Sequence, residues 1–341
     1  MFAEGDLGET QNRNVKGKGK QLMAEKSLQE QHIPVMRDRV LEMFTPALNV
    51  SDPLLIDGTL GLAGHTESLL KEFPNLKIIG IDRDPIAIER AKQRLGELSS
   101  RVEFVNETYD QIETVLAGRK VNGVLLDLGV SSIQLDEANR GFSYAQDAPL
   151  DMRMNANDSL TAADILNTYD VKDLTYILST YGEEKFAKRI AQELVKRRAN
   201  KPMTSTFELV DLIKDVIPAP ARRTGGNPAK RTFQALRIAV NNELQILEKA
   251  IPQAMAALVV GGRILVLSYH SLEDRIVKNA FKEQSSIIDA LPGLPILLSK
   301  SIAPFELVTR KAEQASDEEI AINPRSTSVR LRVAQRVAVA A

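Results

Sequence analysis

The chain has 341 residues, 43% apolar and 26% charged, and its 44 basic and 45 acidic side chains leave a formal net charge of −1. A single core usually holds roughly 100–200 residues, so this length calls for one large α/β domain or two lobes. The charge balance excludes an all-over polycation, and any nucleic-acid contact has to come from local basic patches. Cysteine is absent, which excludes disulfides, thiolate zinc sites, cysteine-held iron–sulfur clusters and a cysteine nucleophile. It fits a reducing cytoplasm, the expected location. The longest apolar runs, such as Ile264 to Leu267, fall far short of the roughly 18–20 residues of a membrane span. The first residues are polar and carry no apolar signal core, so neither membrane insertion nor secretion is expected.

Residues 1–31 read as a disordered N-terminal extension. They hold four glycines between Gly5 and Gly19, few large apolar residues and no periodicity, so a fixed fold there would not offset its ordering entropy. Arg13, Lys16, Lys18 and Lys20 make a short basic stretch, largely cancelled by Glu4, Asp6, Glu9, Glu25 and Glu30.

From residue 54 apolar strands alternate with helices. Leu54–Asp57 is a short buried strand, followed by a glycine-bearing turn and a helix through Leu69 and Leu70. Lys77–Asp82 is the next strand, Pro85–Leu95 a helix opened by its proline, Arg101–Asn106 a third strand and Val121–Leu128 a fourth. This pattern predicts a parallel sheet covered on both faces. The alternation stops between about 134 and 250, where only helical patterns and turn signals occur, and resumes at Gly261–Leu267. Two β-like pieces, Phe305–Arg310 and Ser328–Val333, close the chain. The expected architecture is an α/β core, residues 32–133 and 251–341, interrupted by a helical substrate-recognition insertion over 134–250. No internal repeat is present.

The loop Asp57–His65 joins the first strand to its helix. Its glycines, Gly58, Gly61 and Gly64, are three apart, which is not the G-x-G-x-x-G spacing of dinucleotide sites. Asp57 ends the first strand and Asp82 the second. An acid in the second position accepts ribose hydroxyls in many Rossmann-like folds. One in the first position repels a pyrophosphate but suits a cation, at roughly 4 kcal/mol for charges about 4 Å apart before desolvation. Ribose plus cation describes S-adenosylmethionine. The alternative is that Asp57 caps the turn through its own backbone bonds.

Ligands in open α/β sheets sit beyond the carboxyl ends of the strands, which directs attention to Asp127–Ser132 with Gln134, and to Ser268–Arg275. His270 is either a site residue or a structural histidine. Methylation of pyrimidine C5 generally needs a cysteine, so a nitrogen or oxygen acceptor remains. An exocyclic amine needs alignment and a group that takes its hydrogen bond and then its proton. Asp127 is the candidate catalytic residue by position, or else it binds the donor.

Basic residues concentrate in the insertion. Phe186, Ile190 and Leu194 form a helical core stripe, with Lys185, Lys188, Arg189 and Lys196 on the other side. Arg222, Arg223, Lys230 and Arg231 surround Gly225–Pro228, a basic loop suited to RNA phosphates. Arg325, Arg330, Arg332 and Arg336 add charge beside an expected edge strand. Asp151 and Arg153 either pair to fix the start of the insertion or contact RNA.

Taken together these segments resemble the RsmH (MraW) family of bacterial methyltransferases. The matching pieces are HIPVM at His32–Met36, DGTLGLAGHT at Asp57–Thr66, GIDRDPIAI at Gly80–Ile88, LLDLGVSSIQLD at Leu125–Asp136, RGFSY at Arg140–Tyr144 and PLDMRM at Pro149–Met154. They continue with YGEEKFAKRIA at Tyr181–Ala191, RTFQALRIAVNNEL at Arg231–Leu244, SYHSLEDRIVK at Ser268–Lys278 and NPRSTSVRLR at Asn323–Arg332. The resemblance implies a class I S-adenosylmethionine-dependent methyltransferase (Rossmann-like) core with an inserted helical domain. It implies methylation of the N4 of a cytidine in the decoding region of 16S rRNA, within the small ribosomal subunit. No ligand cluster in the sequence suggests a metal, and none is expected. The resemblance further implies donor contacts at Ala63, Gly64, His65, Asp82, Tyr109, Asp127 and Gln134. Tyr109 stands where relatives often have phenylalanine and keeps an aromatic wall beside the adenine. Ala63 stands where many have glycine.

Two other readings stay open. A DNA or protein amino methyltransferase is disfavoured because Leu128-Gly129-Val130 follows Asp127 where DNA amino methyltransferases typically carry two prolines and an aromatic. An RNA-binding assembly factor that retains only donor affinity is the third.

Overall fold

The computed structural model of the chain describes residues 33–130, 138–222, 227–286 and 303–338. The expected N-terminal extension, Gln134 and Arg223 lie outside the described residues. Seven strands, β1 Leu54–Asp57, β2 Lys77–Ile81, β3 Val102–Val105, β4 Val121–Asp127, β5 Leu258–Ser268, β6 Phe305–Leu307 and β7 Arg330–Arg336, form one sheet in the order β3-β2-β1-β4-β5-β7-β6. β1 to β5 run parallel. β7 is antiparallel to both β5 and β6.

The sheet is therefore mixed, and β7 is not the expected edge strand, because β6 covers it. It also starts later than Ser328. Pro324–Ser328 forms a 3-10 turn, held by the Ser326 and Thr327 hydroxyls donating to the carbonyls of Asn323 and Pro324.

Alternation along the strands builds two cores. Leu55, Ile78, Leu125, Leu265 and Leu331 face the helices Arg37–Leu48, Gly64–Glu72 and Pro85–Leu95. Ile56, Ile79, Val124, Val266 and Ala334 face the helices Ile112–Leu116, Glu243–Ala257 and Ser271–Gln284. Each fully buried Leu or Ile contributes roughly 1.5–3 kcal/mol, so the period-2 pattern fixes the register.

A third core lies between Phe142 and Val240. It is built by the helices Ala162–Thr168, Val171–Thr180, Ala187–Arg198, Thr206–Val216 and Lys230–Asn241. Capping boxes at Thr161 with Asp164 and at Ser205 with Glu208 start two of them. Ile190 and Leu194 are buried as their stripe predicts, while Lys185, Lys188, Arg189 and Lys196 are exposed. We place the end of this helical unit at Asn242. Its left-handed backbone, φ 52°, breaks the run between Lys230–Asn241 and Glu243–Ala257, a conformation asparagine tolerates better than most residues. Across that kink Arg237 clasps Glu243 through two bonds of 2.9 and 3.0 Å.

The turn after β2 ties the unit to the sheet. Arg83 donates to the Asn241 carbonyl and to Asp158, each at 3.0 Å. Asp84 caps the helix Pro85–Leu95 by accepting from the Ile86 N–H. Its other oxygen accepts from Arg140 at 2.8 Å, and Arg140 also holds the Arg153 and Met154 carbonyls.

Asp84 is almost fully buried, so losing Arg140 strands a charge. Arg140→Ala is expected to destabilise the protein by about 3 kcal/mol in urea denaturation. Removing the exposed Arg119 partner of Glu103 should cost under about 1 kcal/mol. Equal effects from the two replacements would refute this ranking.

Candidate functional site

Between β1 and β4 the strand order reverses, and the loops beyond their carboxyl ends open a crevice. The β1 loop is locked from below. Asp57 is buried, its Oδ2 accepts from the Thr66 hydroxyl at 2.7 Å and its Oδ1 accepts from the Thr59 N–H at 3.2 Å. It thus fixes the turn, as the capping alternative held. A Cβ at Gly58 would stand 2.6 Å from Leu126 and 3.1 Å from Tyr109, so only glycine lets the loop lie this close to β4.

Ala63 adopts φ 58° at the N-cap of Gly64–Glu72 and is fully buried. A left-handed alanine is disfavoured by about 1–2 kcal/mol. Its buried methyl offsets about 0.8 kcal/mol, and glycine would add unfolded-chain entropy worth about 0.4–1 kcal/mol. The terms nearly cancel, which accounts for alanine where the resemblance leads one to expect glycine.

Asp82, at the end of β2, accepts from the Gly61 N–H and the Asp84 N–H, each at 2.8 Å. Burial, together with the neighbouring Asp84 and Asp57 carboxylates, pushes its pKa up to about 6. Tyr109 is half-buried against the core beside β1 and β4. Burial and the nearby Glu243 and Glu273 raise its phenol, which stays protonated.

Asp127 is where three loops meet. Its N–H donates to the Thr59 hydroxyl at 2.7 Å. Its Oδ1 accepts from the Tyr269 hydroxyl at 2.7 Å. Its Oδ2 lies 3.6 Å from His65 Nε2. His65 and Asp57 are buried, whereas Asp127 keeps 26% of its side chain exposed. Burial and the bond to Asp127 raise the Tyr269 phenol well above its ordinary value, so it remains a donor.

His270 takes the structural alternative. Its Nδ1 accepts from the Glu273 N–H, and Glu273 accepts in return from the His270 and Tyr269 N–H groups, which caps Ser271–Gln284. Asp151 and Arg153 pair through two bonds of 2.8 and 2.7 Å, and Arg153 also binds the Ala156 and Asp158 carbonyls. This is the fixing role.

Asp57, Asp82 and Asp127 share one property: among the described residues no lysine or arginine pairs with any of them. Burial, with the nearby Asp127, raises the Asp57 pKa as well. Uncompensated carboxylates around a glycine loop suit a ligand carrying both hydroxyls and positive charge.

The basic residues sort differently. Arg222 and Lys230 are exposed, and Arg231 donates to the Glu183 carbonyl at 3.3 Å. Arg330 and Arg332 instead bind Asp274, and Arg336 holds the Ala338, Ala256 and Leu258 carbonyls. Among the described residues no group of three or more His, Asp or Glu side chains could hold a metal ion, and no helix is long and apolar enough to cross a membrane. Tyr269 falls within the Ser268–Arg275 segment to which the sequence directs attention, whereas nothing local marks the contributions of Arg83 and Arg140.

The strand order with its antiparallel β7, and the crevice beyond β1 and β4, define the class I S-adenosylmethionine-dependent methyltransferase fold, whose methyl donor is S-adenosylmethionine. The family model described as the MraW methylase family matches residues 29–337, and the chain belongs to that family. The ribosomal RNA small subunit methyltransferase H of Mycolicibacterium smegmatis is 56% identical over 314 residues, covering 90% of this chain and 84% of that protein. The protein of the same name from Thermobifida fusca is 53% identical over 308 residues, covering 89% and 93%. That from Streptomyces avermitilis is 51% identical over 312 residues, covering 91% and 98%.

The raised pKa of Asp82 has a sign on each side. Without donor, the native state holds this proton more tightly than the unfolded chain, so its contribution to stability falls as pH rises from 3.8 to about 6. An ionised carboxylate accepts from hydroxyls better than a protonated one, so a donor ribose bound here favours the charged form. Donor affinity measured by calorimetry should therefore drop as pH falls below about 6, approaching tenfold per unit. Asp82→Asn should bind weakly with a flattened profile; a variant that keeps the wild-type pH dependence would remove Asp82 from the donor site.

Proposed function

We propose that the protein transfers a methyl group from S-adenosylmethionine to the N4 of cytidine 1402 in the decoding region of 16S rRNA, acting on the small ribosomal subunit in the cytoplasm. The relatives' shared name, ribosomal RNA small subunit methyltransferase H, supports the RNA class. The observation that carries the chemistry is the partly exposed Asp127 carboxylate, held at the crevice by Thr59 and Tyr269.

When bound, the donor supplies a methyl group made electrophilic by its sulfonium. On this reading Asp82 accepts the ribose hydroxyls, Tyr109 forms the wall beside the adenine, and Ala63, Gly64, His65 and Gln134 line the remainder. The uncompensated Asp57 and Asp127 make the pocket favourable for the cation. Asp127 also accepts a hydrogen bond from the cytidine amine, which turns its nitrogen toward the methyl group, and takes the proton that the product loses. No covalent base adduct is needed, in keeping with a chain that lacks cysteine. Arg222, Arg223, Lys230 and Arg231 contact RNA phosphates and orient the substrate across the helical unit.

Labelled donor incubated with small subunits from a strain lacking the mark should place label in cytidine. Asp127→Asn should slow that transfer by roughly 100-fold or more. Label in another nucleotide, or full activity of the variant, would overturn the assignment. The phosphate contacts have a separate measure. Binding should weaken with salt, and replacing all four cations should flatten the log–log slope by about 0.7–0.9 for each phosphate no longer neutralised; an unchanged slope means they do not touch phosphate.

A further inference from the structure

Asp127 presents two different oxygens. Oδ1 is occupied by the Tyr269 hydroxyl at 2.7 Å. No described donor bonds Oδ2, which faces His65 Nε2 across 3.6 Å. Nε2 is itself buried with no hydrogen-bond partner. Buried polar atoms are nearly always paired, and an exception commonly marks a working group. Two open valences facing each other, slightly farther apart than a hydrogen bond, leave room to share one proton.

We infer that His65 is the proton partner of Asp127: the proton lost from the methylated amine passes to Asp127 Oδ2 and on to His65 Nε2. This rests on the amine-methylation reading above. The balance of the step is complete. The amine lone pair forms the new carbon–nitrogen bond, the carbon–sulfur pair returns to sulfur, and the proton leaves nitrogen for the carboxylate. Transfer to the imidazole then restores the carboxylate for the next substrate.

The surroundings favour this direction. Asp57 is the second carboxylate that interacts with His65. Both Asp57 oxygens are engaged by Thr66 and Thr59, which keeps Asp57 from competing for the proton. Tyr269 holds Oδ1 as a neutral donor, with Glu273 and Glu319 nearby. Oδ2 is thereby left as the transferring atom. The role differs from donor contact, because it acts on the carboxylate and only after the amine has reacted.

Single-turnover methylation from pH 5.5 to 9, donor calorimetry and thermal denaturation test the pair together in wild type, His65→Gln, His65→Asn and Asp127→Asn. At saturating donor and neutral pH, His65→Gln should cut the rate at least tenfold, well beyond any change in donor Kd, and lose one inflection of the pH profile. Adding His65→Gln to Asp127→Asn should cost little more than Asp127→Asn alone, as for residues that act as a unit. His65→Asn reports the same behaviour if the glutamine variant melts early. A retained inflection, an undiminished rate, full additivity, or a donor Kd weakened as much as the rate would each overturn the role. The last of these would make His65 a donor ligand only. Failure of the wild type to label cytidine in the same assay would instead bring down the underlying reading.

Discussion

The turn Asp82-Arg83-Asp84 is the constraint on which the arrangement depends. Three successive residues leave β2 and face three directions. Asp82 turns into the crevice, held by the Gly61 and Asp84 N–H groups. Arg83 reaches the end of the helical unit at Asn241 and its start at Asp158. Asp84 caps the next helix and binds Arg140. An ionised Asp84 can remain almost fully buried only because Arg140 and the helix N-terminus meet it. The unit carrying the exposed cations is thus docked through the same few residues that shape the proposed ribose site. Displacement of one must be felt at the other.

Much of this was legible in the sequence, and the reason is locality. β1, β2 and β4 show as short apolar runs, because strands buried on both faces need side chains of one kind throughout. Asp57 and Asp82 stand out because an acid directly after such a run has to leave the sheet. The Ile190 and Leu194 stripe is likewise local. What could not be read is what joins residues far apart. Arg140 meets Asp84 across 56 positions and Tyr269 meets Asp127 across 142. Phe305–Arg310 reads as β-like, but that its three-residue strand pairs along β7 and covers it is not written in any local pattern. The role of His270 was undecidable for a related reason, since its cap is a matter of ring orientation and not of residue type.

Composition also concealed how the positive charge is spent. Seen as a string, the arginines from 325 to 336 look as available as those around residue 222. In the fold Arg330 and Arg332 satisfy the partly buried Asp274, and Arg336 closes carbonyls at the end of β5 while lying 5.9 Å from the Phe305 ring. Lys185, Lys188, Lys196, Arg222 and Lys230 make no ion pair among the described residues and are exposed. Charge left over after internal pairing is what a polyanion can use, and part of that remainder lies on the helical unit.

Carboxylates thus gather at the crevice and exposed cations on the neighbouring helical unit, in a chain whose net charge is −1. Among the described residues Asp57, Asp82 and Asp127 at the crevice have no lysine or arginine partner, while the neighbouring unit exposes Lys185, Lys188, Lys196, Arg222 and Lys230. This separation works as attraction and as exclusion. On the proposed reading, a sulfonium is drawn into the crevice, and an RNA phosphate is drawn to the helical unit and repelled from the pocket beside it. A nucleotide approaching from the helical side can advance a neutral base toward Asp127 while its phosphates stay back. On that reading, discrimination between the two substrates follows from the sign of charge before any shape is read.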